Sequence, residues 1–112
     1  MKTGAAAERL AAAFLARHGL EVVQANYRCR FGEIDLVLRD GDTIVFAEVR
    51  LRASDRYGGA AYSVDRRKQA RLVAAARLWL AGKKDLPCRF DVVLMDRLDA
   101  SRIEWIRDAF SA

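Results

Sequence analysis

Gly32-Glu33-Ile34-Asp35-Leu36-Val37-Leu38-Arg39-Asp40-Gly41-Asp42-Thr43-Ile44-Val45-Phe46-Ala47-Glu48-Val49-Arg50 is the stretch that decides how this chain folds. Two runs rich in Ile, Leu, Val and Phe flank an Asp-Gly pair, the pattern of two strands joined by a tight hairpin. Side chains alternate between the faces of a strand, so one face can be buried and the other left polar. Here acids interrupt otherwise apolar strands. An acid buried in such a strand is costly unless something pairs it, and a divalent cation is one such partner.

A two-residue Asp40-Gly41 turn, with positive φ at both central positions, pairs Arg39 with Asp42, Asp35 with Phe46 and Glu33 with Glu48. Asp35 and Glu48 then become diagonal neighbours on one face, their Cβ atoms at most about 7–8 Å apart and within reach of one metal ion. Glu33 and Arg50 project from the same face, and Val37, Ile44 and Phe46 fill it nearer the turn. A three-residue loop would slip the register by one and send Asp35 and Glu48 to opposite faces. The plainer alternative is that these charges form the solvated side of a sheet, or guard an edge against aggregation.

The rest of the chain supplies helices for such a sheet. Thr3 to His18 reads as a helix: alanine dominates, Leu10 and Phe14 recur at i, i+4, Thr3 is a plausible N-cap and Gly19 suits the position after its end. Glu8 either turns inward beside Ala11, Ala12 and Leu15 or simply complements the helix dipole. Glu21–Ala25 reads as a first strand, Glu33–Arg39 and Thr43–Leu51 as the second and third. Ala53–Ala61, with Gly58 and Gly59, reads as a loop. Ser63 can cap a second helix running to Leu80, with Asp65 in its first turn and Gly82 past its end. That helix has Leu72, Val73, Ala76, Trp79 and Leu80 as its apolar stripe, and Gln69 looks inward on it. Arg89–Met95 is a strand buried on both sides, and a short last strand lies near Ile103–Ile106. The expected fold is α/β: a mixed central sheet of about five strands flanked by helices, in the order α-β-β-β-α-β-β, as one domain over residues 1–112.

Of the 112 residues, 53% are apolar and 31% charged, which suits a globular chain with a real core and excludes a disordered one. No apolar run is long enough to span a bilayer, so no membrane partner is expected. The alanine-rich start is broken by Glu8 and Arg9 and does not read as a signal peptide. Cys29 and Cys88 stand apart from each other and from His18, which excludes a zinc pattern and suits free thiols in the cytoplasm. The net charge of +5 favours polyanionic partners. Arg28 and Arg30 lead into the hairpin, Arg50, Arg52 and Arg56 follow it, and Arg66, Arg67, Lys68 and Arg71 open the next helix. Cations around an acidic centre suit a protein that grips phosphates and places a metal at one of them, though the 66–71 group alone also fits a solvated helix face.

Element order, Gly32-Glu33-Ile34-Asp35-Leu36-Val37 and Glu48-Val49-Arg50 together resemble the YraN-like bacterial family, which has a restriction-endonuclease-like fold. The likeness extends to the Glu8 helix, Asn26-Tyr27-Arg28, the Arg52-to-Gly59 loop, the helix after Lys68, Arg89-Phe90-Asp91-Val92-Val93 and Asp108-Ala109-Phe110. The wider superfamily, which includes archaeal Holliday-junction resolvases, cuts DNA with a metal held by an Asp and a Glu. The resemblance therefore implies Mg²⁺ or Mn²⁺ at Asp35 and Glu48 with the Val49 carbonyl, and Glu8 as a supporting acid. It implies a nucleic-acid surface of Arg28, Arg30, Arg52, Arg56, Arg66, Arg67, Lys68 and Gln69, with DNA as the partner. It admits a homodimer, and no segment singles out an interface.

One residue departs from that pattern. Arg50 stands where the superfamily carries lysine, and arginine is always protonated and cannot act as a base. Arg50 can still steady a phosphate electrostatically. Three readings follow: a Mg²⁺-dependent endodeoxyribonuclease with Asp35, Glu48, Arg50 and Glu8 at its centre, a nucleic-acid-binding module that does not cut, and a protein-interaction subunit whose polar cluster is structural.

Overall fold

A computed structural model describes residues 4–52, 64–83 and 85–112. Helix α1 (Ala5–Arg17) is followed by strands β1 (Glu21–Cys29), β2 (Gly32–Asp40) and β3 (Thr43–Leu51), helix α2 (Arg66–Leu80), and strands β4 (Cys88–Met95) and β5 (Glu104–Phe110). The order is the expected α-β-β-β-α-β-β. The five strands form one sheet in sequence order, antiparallel except where β4 runs parallel to β3 after the α2 crossover. No described helix is long and apolar enough to cross a membrane.

Each face of the sheet carries one helix. Ala7, Ala11 and Leu15 of α1 pack on Leu36, Leu38, Val45, Ala47, Val49 and Val93. On the other face, Leu72, Ala75, Ala76 and Trp79 of α2 cover Ile34, Val37, Ile44, Phe46, Phe90 and Val92. Phe46 stacks on Phe90 at 5.6 Å and meets the Trp79 edge at 5.8 Å, so truncating it to alanine is expected to cost about 3–5 kcal/mol. Two-sided burial explains why β2, β3 and β4 read as nearly continuous apolar runs.

Four local expectations change. First, the hairpin turn is Gly41-Asp42, closed by Asp40 opposite Thr43, and within it positive φ falls on Gly41 alone (62°). The register thus slides by two residues from the one expected, and an even slide keeps every side chain on its face. Second, β1 continues to Cys29, because Asn26 takes a left-handed φ of 56° and the pairing resumes at Tyr27 opposite Ile34. Third, Asp65 caps α2, its Oδ1 accepting the Lys68 N–H at 2.8 Å. Fourth, β5 reaches Phe110, which stacks on Phe90 at 4.9 Å. Gly4 sits at the α1 N-cap position, and the Thr3 and Ser63 caps and the 53–61 loop lie outside the described residues.

Candidate metal centre

The acidic centre arises from a break in strand alternation. Ile34 and Leu36, two residues apart, should share a face. Instead Ile34 joins the α2-side core and Leu36 the α1-side core, so β2 rotates at Asp35. The neighbouring strand rotates with it: Ala25 pairs with Leu36 and Tyr27 with Ile34, while Asn26 between them takes the left-handed conformation. The rotation separates the acids that a regular strand would align. Glu33 turns toward α1. Glu48, in phase with Ile44 and Phe46, stays on the α2 side.

Asp35 stands at the pivot. Its Oδ2 accepts the Val49 N–H at 2.8 Å, so Val49 reaches it through the amide as β2 and β3 part beyond the Leu36–Ala47 pair. On the α1 side, one carboxylate oxygen from each of Glu8, Glu33 and Asp35 lies within 4.8 Å of the others. Glu8 and Asp35 are only 5% and 8% exposed. Glu8 Oε2 has no hydrogen-bond partner among the described residues. Glu33 is met by Arg28, whose Nε lies 3.8 Å from its Oε2. The α2 side is different. Lys68 Nζ and Arg50 Nε approach the same oxygen, Glu48 Oε2, at 3.6 and 3.0 Å. The Arg50 Nε–H finds no hydrogen-bond acceptor among the described residues, so its contact with Glu48 is one of charge.

The electrostatics follow from this placement. Burial, then the charges of Glu48 and Glu33, push the Asp35 carboxyl up to about 7, against the lowering pull of the Val49 N–H and Lys68. Burial and the Asp35 charge likewise raise Glu8, and a hydrogen bond from the Asn26 side chain opposes them. Acids this crowded either share protons or share a cation. The donor set is all oxygen, with neither His nor Cys in the cluster, which fits Mg²⁺, Mn²⁺ or Ca²⁺ and not a structural zinc site. Glu8 Oε2, buried and without a donor among the described residues, suits a hard cation, so the residues fit the group.

The cationic surround is positioned as follows. Arg66, Arg67 and Lys68 occupy the first turn of α2, where the helix dipole disfavours cations, and no acid shares that turn. Arg28, Arg30 and Arg52 are exposed, Arg30 lying over the Phe31 ring at 4.7 Å. Gln69 does turn inward, and its polar partner is the Val64 carbonyl, which accepts from Nε2 at 2.9 Å. Arg56 lies outside the described residues. Asp35 and Glu8 thus come together, Glu48, Arg50 and Lys68 form an adjoining charge cluster, and Gln69 is spent on a backbone bond. The sequence reading gave Glu33 a place on the Glu48 face and missed its approach to Glu8. The spacing of Glu33 from Asp35 could not reveal it, because the signal lies in the rotation at Asn26.

The family described as Uncharacterised protein family UPF0102 matches residues 7–95. UPF0102 protein NE0719 of Nitrosomonas europaea is 56% identical over 108 residues, covering 96% of this chain and 92% of that protein. A UPF0102 protein of Methylobacillus flagellatus is 52% identical, covering 95% of this chain and 94% of its own. One from Ectopseudomonas mendocina is 49% identical over 97% and 94%. The chain belongs to the UPF0102 family.

Proposed function

We propose that this member of the UPF0102 family is a divalent-metal-dependent nuclease acting on DNA, with Mg²⁺ or Mn²⁺ held by Asp35 and Glu48, Val49 lending its carbonyl and Glu8 as a supporting acid. The observation that carries this reading is Asp35, a buried acid crowded by acids from α1, β2 and β3 and lifted to about 7. Such crowding is costly, and folds keep it where a cation offsets it. The likeness of the strand motif to restriction-endonuclease-like nucleases points the same way.

A bound Mg²⁺ supplies a more acidic water and neutralises charge on the phosphate. The chain's own groups do the rest. Arg50 and Lys68, both at Glu48 Oε2, present fixed positive charge to a phosphate beside the acids. Arg66 and Arg67 at the start of α2, with Arg28, Arg30 and Arg52, hold the backbone of the nucleic acid without reading its bases. Arg50 holds a phosphate and takes no proton.

That property also favours a second reading, in which the chain binds nucleic acid without cutting it. A nicking assay on duplex, flap and four-way DNA with Mn²⁺ separates the two. The nuclease reading expects nicking by the native chain that Asp35→Ala and Glu48→Ala abolish. A native chain that binds but never nicks, while Arg50→Lys does, establishes the binding module. DNA affinity that fails to weaken as salt rises overturns both.

A further inference from the structure

We propose that Phe31, at the tip of the β1–β2 hairpin, is a stacking platform for an unpaired nucleobase, which makes single-stranded and flap DNA the substrate class. This rests on the nucleic-acid reading above and names the substrate within it.

Turn tips are usually built from Gly, Asn, Asp, Ser or Pro. Here Cys29 pairs with Gly32, so the two-residue tip is Arg30-Phe31, a cation and a large aromatic. Gly32, at a φ of 134°, carries the unusual backbone angle of the reversal, which leaves position 31 open to a bulky side chain. Phe31 packs against the α2-side core, as Tyr27 and Cys29 do, so its ring is anchored. The Arg30 guanidinium lies over that ring at 4.7 Å from the centroid, and Arg30 is exposed. A planar cation on an aromatic face occupies the place where a base stacks, and an exposed arginine yields it readily. The displaced guanidinium then serves the backbone, as the reading above assigns it.

Placement ties the tip to the acids. Phe31 precedes Asp35 by four residues, at most about 13 Å at the rise of a strand. A stacked DNA strand carries a phosphate about every 3.4 Å, so a base on Phe31 lies within about four nucleotides of a phosphate at Asp35. The ring belongs to the α2 side of the sheet, where Arg50 and Lys68 meet Glu48. Inside a duplex both faces of every base are covered by neighbouring pairs. A single strand or a flap offers a free face. Phe31 has no group that hydrogen-bonds a base edge, so the preference is for unpaired structure and not for sequence.

The test uses the full chain with Ca²⁺ in place of Mg²⁺. Affinities for a single strand, a flap and a blunt duplex are measured across salt. Single strands carrying 5-iodouracil are also cross-linked by light and mapped by mass spectrometry. Native protein is expected to bind the single strand and the flap at least about fivefold more tightly than the duplex, and to cross-link at Phe31. Phe31→Leu keeps an apolar anchor and removes the aromatic face. It should lose the preference with its salt dependence unchanged, while Phe31→Trp keeps the preference. Melting checks folding, and Phe31→Met serves if Phe31→Leu is unstable. Native protein that binds all three substrates alike, or Phe31→Leu that keeps the preference, overturns this inference and leaves the nuclease reading intact. Cross-links confined to other residues also overturn it. DNA binding that ignores salt, or no binding at all, overturns both.

Discussion

Asp35 and Asp91 are the same residue type, buried in the same sheet and 8% and 1% exposed, yet they are treated in opposite ways. Asp91 is surrounded by donors. It accepts from Arg89 Nε at 3.0 Å and Nη2 at 3.2 Å, from Trp105 Nε1 at 3.0 Å and from the Asp108 N–H at 2.9 Å. Arg89 reaches on to Asp40 at 2.9 Å, so the knot ties β4 and β5 to the hairpin end. Asp35 accepts the Val49 amide, feels the charge of Lys68, and is crowded by Glu8, Glu33 and Glu48. A buried acid that serves structure is given donors. One held among other acids keeps a charge deficit that a ligand can relieve. The contrast separates a donor-satisfied acid from a crowded one without any appeal to residue type.

The largest expected effect is on the structural side. Asp91→Ala strands the Trp105 and Asp108 N–H groups and half of the Arg89 fork, and should cost roughly 3–5 kcal/mol in urea unfolding. A loss under about 1 kcal/mol would mean that the knot is not holding the strands.

Asp35 should show the reverse sign. Its folded pKa of about 7 lies above the ordinary aspartate value of 3.8, so the metal-free fold binds that proton more tightly than the unfolded chain does. The associated penalty is absent below about pH 4, grows as pH rises and is complete above about 7, amounting to at most roughly 4 kcal/mol. Asp35→Asn keeps an acceptor for the Val49 amide and removes the charge. In chelator it should therefore stabilise the chain at about pH 8 and flatten its pH profile between about 4 and 7. Unchanged curvature would contradict the crowded-acid account.

Cations should act on one region only. Mn²⁺ at about 100 times its dissociation constant should add about 2.7 kcal/mol to the native chain, more above pH 7 than below it. It should add nothing to Asp35→Asn, while an Asp91 variant that still folds keeps the gain. The smallest effect belongs to single donors: Trp105→Phe removes one of the Asp91 bonds and should cost about 1–2 kcal/mol without moving Mn²⁺ affinity.

The element order was legible because apolar periodicity and turn residues act locally. The turn was misplaced by one residue because Asp40 stays in β2, where Arg89 and Arg107 hold its carboxylate at 2.9 and 3.4 Å, and partners so remote in sequence leave no local mark. Because the slide was even, it moved no side chain to the other face. The rotation at Asn26 and Asp35 was not legible. Nothing in the alternating pattern warns that Ile34 and Leu36 part company, so the transfer of Glu33 to Glu8 appears only in three dimensions. The pairing of Lys68 with Glu48 was hidden for the same kind of reason, as it depends on where the crossover sets α2 down.

The claim that the crowding around Asp35 exists to hold a cation is tested most directly by crystals soaked in Mn²⁺ and measured for anomalous scattering. The account predicts a peak about 2.0–2.6 Å from an Asp35 carboxylate oxygen, with carboxylate oxygens of its acidic neighbours completing the contact. A map without density there, the acids hydrogen-bonded to one another through shared protons at about pH 8, would contradict it.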